Sequence, residues 1–288
     1  MKNLFVIIIS LAVLTACGGG ARKTSDERII TVTIEPLRYF TEAIAGDNFT
    51  VISMVPKGVS PETYDPTPRQ LVDLGKSEAY LRIGYIGFEV SWMDRLIQNN
   101  SQLTVFDTSK GVNVIRGAGH YHGDHYHAGG VEPHIWNSAV NARIIAKNIL
   151  DALVTLDKGS ETTYIERYNS LINKINEIDS TIQNILHENA DHAFMIYHPA
   201  LTYFARDYSL HQISIEEDGK EPSAVHLKEL IEVSTFEDVN VIFIQPEFDQ
   251  RNAEVIAKQI GARIVPINPL AYDWEAEMIR TAQSLKHE

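Results

Sequence analysis

The chain of 288 residues carries one cysteine, Cys17. No disulfide can therefore form within it, and a fold of this size must stand on packing alone. Basic residues are scarce: 25 Lys and Arg face 38 Asp and Glu, a formal charge of −13. Such a surface offers nothing to nucleic acid and attracts cations. Long apolar runs are also missing beyond the first residues, so no membrane-spanning helix is expected in the body of the chain. The one run, over 4–16, follows Met1-Lys2-Asn3, is too short to span a bilayer stably, and ends in small residues. That combination predicts a secretory leader over 1–16 whose loss removes Lys2 and makes the balance one unit more negative.

The leader ends Leu14-Thr15-Ala16-Cys17, which resembles the bacterial lipoprotein signal. The resemblance implies a lipid on Cys17 as the first mature residue, anchoring the protein to a membrane of the cell envelope. A lone exported thiol could also stay free or pair between chains, but its position at the end of the apolar run favours the anchor. Small, polar residues after it then make a tether over 17–27.

From there strands and helices alternate. A β-branched run over 29–34 stops at Glu35-Pro36 and reads as a buried strand, and a second strand over 49–55 ends at Pro56. Four prolines in residues 56–68 demand an ordered loop, after which Thr67 and Pro68 open a helix as N-cap and first-turn residue. Strands over 79–83 and 103–106 follow, then a helix from Ser138. A longer helix over about 160–187 has Tyr164, Ile165, Tyr168, Leu171, Ile172, Ile175, Ile178, Ile182, Ile185 and Leu186 at helical steps, a buried face along its length. The second half repeats the alternation, with strands over 193–197, 241–244 and 263–267. The expected fold is α/β: two lobes with parallel-type sheets flanked by helices, 28–157 and 191–288, joined by one long linking helix, 158–190, with a ligand cleft between the lobes.

Within residues 117–130 lie His120, His122, His125 and His127 among glycines, and His134 follows in the stiff sequence Glu132-Pro133-His134-Ile135-Trp136. A dense imidazole tract reads as an auxiliary metal loop, with His134 in a fixed frame beside it. Polar residues that end strands or open helices at the expected cleft are Glu62, His134, His198 and Asp273. Two imidazoles and two carboxylates suit a borderline divalent ion. Each has a structural alternative, for Asp273 the N-cap of the helix beginning at Trp274.

The sequences Gly58-Val-Ser-Pro-Glu62-Thr-Tyr-Asp-Pro-Thr-Pro, Glu132-Pro-His134-Ile-Trp, Tyr197-His198-Pro-Ala-Leu-Thr-Tyr-Phe-Ala, Glu221-Pro-Ser223 and Asn268-Pro-Leu-Ala-Tyr-Asp273-Trp resemble the metal-specific substrate-binding lipoproteins of bacterial ABC transporters, the zinc- and manganese-uptake class. The resemblance runs from about Arg28 to the C-terminus. It implies a monomeric, non-enzymatic protein facing the periplasm or exterior, one metal held by Glu62, His134, His198 and Asp273, and a membrane permease as partner. Zinc is the implied cargo, because His198 and the histidine-rich loop follow the zinc type; manganese is the alternative. The first motif departs from the usual Ser-Pro-His by carrying Glu62, which bears on metal preference.

Two other functions compete. An envelope zinc hydrolase is suggested by His187-Glu188-Asn189-Ala190-Asp191-His192, but residues five apart on a helix lie about 140° from each other around the axis, so both rings would not face one ion. A surface adhesin or scaffold needs only the anchor and an acidic face, and leaves the four motifs unexplained.

Overall fold

The computed structural model describes residues 27–117, 120–122, 125–127, 130–187, 191–217 and 219–286. The expected leader, the lipidation at Cys17 and the tether up to residue 26 lie outside the described residues.

In the first lobe, β1 (Ile29–Val32) lies at the centre of a parallel sheet of order β2-β1-β3-β4, with β2 (Thr50–Ser53), β3 (Ala79–Arg82) and β4 (Thr104–Asp107). Both faces of β1 are covered. Ile30 and Val32 enter the main core, while on the other face Thr31 bonds Ser77 at 2.7 Å and Thr33 bonds Tyr80 at 2.9 Å. Burial on both faces explains why β1 is β-branched throughout rather than alternating. Helices α1 (Glu35–Ala45), α2 (Pro68–Leu74) and α3 (Gly87–Asn99) make the crossovers. Thr67 caps α2 in a reciprocal arrangement with Gln70, with Pro68 in the first turn, and Ser138 caps α4 (Ala139–Leu156) by accepting from the Asn141 N–H at 3.0 Å. Between β4 and α4 the histidine tract forms a two-stranded antiparallel ribbon, β5 (His120–His122) and β6 (His125–His127). Its register sets His120 opposite His127 and His122 opposite His125.

A single helix, α5 (Glu161–His187), then runs about 40 Å at 1.5 Å per residue. It packs against α4 and α1 of the first lobe and against α9 (Trp274–Ser284) of the second. Its buried stripe is Tyr164, Leu171, Ile175, Ile178 and Ile182. Ile165, expected on that face, is exposed, because it lies about 100° around the axis from Tyr164.

The second lobe repeats the parallel layout as β10-β9-β7-β8, built from β7 (Ala193–Ile196), β8 (His211–Ser214), β9 (Val241–Ile244) and β10 (Arg263–Pro266). Helices α6 (Thr202–Asp207), α7 (Ala224–Phe236) and α8 (Arg251–Ile260) accompany α9, and Gly261 ends α8 in the left-handed conformation at φ +76°. Alternate residues of the central strands divide between two layers. Phe194, Ile196, Val241 and Phe243 join the core that runs through α5 into the first lobe, whereas Met195, Tyr197, Ile242 and Ile244 pack on the outer side beneath α7 and α8. The two lobes therefore share one continuous hydrophobic core. Wide hinge opening would have to break that packing, so movement is left to the loops above the strand ends.

Candidate metal centre

In a parallel sheet the crevice for a ligand opens where consecutive crossovers leave in opposite directions. In the second lobe that point falls between the neighbouring strands β7 and β9. His198 comes two residues after β7, on the side continued from Phe194 and Ile196 toward the shared core. The Gln245 side chain holds its backbone from both sides, accepting from the His198 N–H at 3.2 Å and donating to its carbonyl at 2.7 Å. Phe248 stacks on the ring at 4.9 Å and 21°. The imidazole Nδ1 meets Glu216 Oε1 at 2.8 Å. Glu216 stands two residues beyond β8, and since Ile196 pairs with Ser214 in register, the two side chains leave the sheet at the same level.

His134 enters from the first lobe but is fastened to the second. Tyr203 donates to the Glu132 carbonyl at 2.9 Å and accepts from the Ile115 N–H at 3.0 Å. The Trp136 indole donates to the Pro269 carbonyl at 2.8 Å, Trp274 returns a bond to the Trp136 carbonyl at 2.8 Å, and Asn137 donates to the Ala200 carbonyl at 2.9 Å. His134 is buried, and its Nδ1 is tied to the Glu132 carboxylate.

The two rings meet with Nε2 to Nε2 at 3.2 Å. A carboxylate only accepts, so each Nδ1 donates its proton to its own glutamate, and both Nε2 atoms are left with lone pairs aimed at one another. Such a pair needs a shared proton or a cation between the nitrogens. Two nitrogens each about 2.0–2.1 Å from a tetrahedral zinc stand about 3.3–3.4 Å apart, close to the separation observed. Carboxylates behind metal-binding imidazoles fix the tautomer and raise ligand basicity, and Glu132 and Glu216 occupy those places.

Around this pair lies an interlobe cavity of about 320 Å³, its mouth included, whose lining also contains Glu62, Gln245, Glu247 and Phe248. Glu62 Oε2 accepts from the Gly87 N–H at 3.0 Å, at the amino end of α3 where free N–H groups favour a carboxylate, while its Oε1 is buried without a partner. A β-carbon at Gly87 would run into the Glu62 carbonyl oxygen, so only glycine lets the two segments approach this closely. Behind Gly87, the fully buried Glu89 accepts from Thr33, from the Ile83 N–H at 2.8 Å and from the Gly84 N–H, which fixes the loop that presents Gly87.

The structure thus brings Glu62, His134 and His198 to one cavity. Asp273 is not brought there: it is exposed and accepts from the Ala276 N–H at 3.2 Å as the N-cap of α9, the alternative its position before Trp274 left open. Glu247 lines the cavity in its stead and was missed in the sequence, although it follows β9 as His198 follows β7. Glu216 was missed with the strand that carries it. Among the described residues no three histidine, cysteine, aspartate or glutamate side chains form a ready-made metal shell; the imidazole pair is the preformed part. His120, His122, His125 and His127 lie on the ribbon of β5 and β6, and His187 and His192 are both exposed.

Burial pulls the His134 pKa down, but the hydrogen bond and charge of Glu132, helped by Glu62 and Glu216, prevail and raise it above 6.5. Glu132 is lowered to match, the bond and charge of His134 outweighing its burial. A metal competes with the proton for the His134 Nε2. Affinity should therefore be complete above the raised pKa and fall about tenfold per pH unit below it, with the onset above pH 6.5. Zinc competition titrations between about pH 5 and 8 check this; an affinity unchanged at the acid end would contradict imidazole ligation.

Two parallel α/β lobes closed around a paired-imidazole cleft suit a substrate-binding protein. The comparison with known families agrees: the family described as zinc-uptake complex component A, periplasmic, matches residues 30–287, and the chain belongs to it. It is similar to the high-affinity zinc uptake system protein ZnuA of Bacillus subtilis (strain 168), at 27% identity over 93% of this chain and 88% of that one. It is also similar to the zinc-binding lipoprotein AdcA of Streptococcus pneumoniae (strain ATCC BAA-255 / R6), at 25% identity over 94% of this chain but only 56% of that protein. Among solved structures, a zinc-bound ZnuA lacking residues 138–173 of its own numbering superposes with a TM-score of 0.82 and 33% identity, over 91% of this chain and 99% of that one. The chain is thus a metal-binding component of an uptake transporter, and a divalent ion and a permease are its partners.

Proposed function

We propose that the protein captures one zinc ion between the lobes, on His134, His198 and Glu62, and hands it to an ABC permease for uptake. The observation that carries this reading is the pair of Nε2 atoms 3.2 Å apart, each backed by a carboxylate on Nδ1. Because His134 is bonded to the second lobe, both imidazoles stay fixed relative to each other. Loading and release then fall to the loop carrying Glu62, which α3 holds through Gly87. The similarity to proteins whose names state zinc uptake supports zinc as cargo.

Manganese is the second reading, favoured by Glu62, since a carboxylate oxygen in the first motif suits a harder ion than imidazole does. The histidine ribbon gathers ions and passes them inward in this account. The protein works as a monomer held to the envelope membrane by a lipid on Cys17; no helix among the described residues is long and apolar enough to cross a membrane. A surface adhesin would need none of the cleft geometry. Competitive titration of the full-length protein with zinc against manganese tests the reading. One tight site that prefers zinc is the expected result. Preference for manganese would keep the transport role and change the cargo, and the absence of any tight site would remove both.

A further inference from the structure

Glu247 has no task in the fold that accounts for its place. It sits three residues beyond β9, in a turn closed by the Phe248 N–H on the Gln245 carbonyl at 3.3 Å. Both neighbours in that turn are committed to His198: Gln245 clamps its backbone and Phe248 stacks on its ring. The turn and the imidazole are thereby one rigid unit on either side of the β7/β9 crevice, and Glu247 is the member of the turn left facing the cavity. Its Oε1 is buried and has no hydrogen-bond partner, as is true of Glu62 Oε1 on the opposite wall. A buried carboxylate oxygen without a partner costs free energy unless something positive meets it.

Resting on the reading that the cavity takes a divalent ion, we propose that Glu247 supplies the fourth ligand and completes a shell of two imidazole nitrogens and two carboxylates with Glu62, His134 and His198. The two imidazoles meet at their Nε2 atoms, and the two carboxylates with an unpartnered oxygen line the same cavity, one from each lobe. Asp273 is already spent on capping α9 and contributes nothing to binding.

The test compares the full-length protein with E247Q and D273N in competitive zinc titrations, together with visible spectra of the cobalt(II)-loaded forms. Glu247 is half-buried and holds no element together, so E247Q should not lower the thermal unfolding temperature of the metal-free protein. The expected result is a loss of at least about tenfold in zinc affinity for E247Q at unchanged one-to-one stoichiometry, a change in its cobalt bands as an anionic ligand leaves the shell, and affinity within about twofold of the unmodified protein for D273N. If E247Q binds zinc as tightly as the unmodified protein and keeps its cobalt spectrum, Glu247 is not a ligand and the proposal is overturned while metal capture stands. If D273N instead loses affinity and E247Q does not, the fourth ligand is Asp273. If the unmodified protein binds neither zinc nor cobalt, metal capture itself fails, and the assignment of Glu247 fails with it.

Discussion

Replacing His198 with alanine is expected to weaken zinc binding by about 10²–10³-fold, because roughly 10–16 kcal/mol of binding shared among four ligands leaves about 2.5–4 kcal/mol for each. The loss should exceed a simple ligand deletion in one respect. Without the His198 ring, Glu216 and the unpaired Nε2 of His134 are left facing an enlarged cavity, and Phe248 loses its stacking partner. The fold itself should be little affected, since His198 lies beyond the end of β7 and its backbone clamp to Gln245 does not need the side chain. Competition with a chelator of known affinity reads the change. A variant that still binds zinc as tightly as the original would mean that the cleft is not the metal site.

The second large effect concerns the joint between the lobes. Trp274 is 2% exposed, packs edge-on against Phe40 at 5.1 Å, and donates to the Trp136 carbonyl, while Trp136 donates back across the interface to Pro269. Truncating a buried tryptophan typically costs about 3–5 kcal/mol. W274A should therefore unfold at a temperature lower by roughly 5–10 °C in the metal-free state. It should also loosen the segment that carries His134, so zinc affinity falls although no ligand has been touched. Thermal unfolding and zinc titration of the same preparation separate the two effects. A protein of normal stability would show that the shared core does not hold the lobes.

Much of the architecture was legible because local signals and burial agree. Thr67, Ser138 and Gly261 end or begin helices as their chemistry requires, and the β-branched run of β1 became a strand covered on both faces. His134 and His198 were legible for a related reason: each interrupts an apolar, rigid sequence at the mouth of a sheet or helix. What escaped was tertiary. β8 is only His211-Gln212-Ile213-Ser214, a polar edge strand whose pattern does not stand out, and with it went Glu216, whose position opposite His198 depends on the β7/β8 register. The ribbon of β5 and β6 lies in a glycine-rich tract with no strand pattern of its own. Asp273 and Glu247 show the same gap from two sides. A carboxylate before a helix can cap it or bind a ligand, and a carboxylate after a strand can face solvent or a crevice. Only the packing of the two lobes decides which.

A crystal of the zinc-loaded protein, measured at the zinc absorption edge, tests the central claim most directly. The account predicts one strong anomalous peak in the interlobe cavity, about 2.0–2.1 Å from the Nε2 atoms of both His134 and His198. A peak confined to the histidine ribbon, or none within reach of this pair, would contradict it.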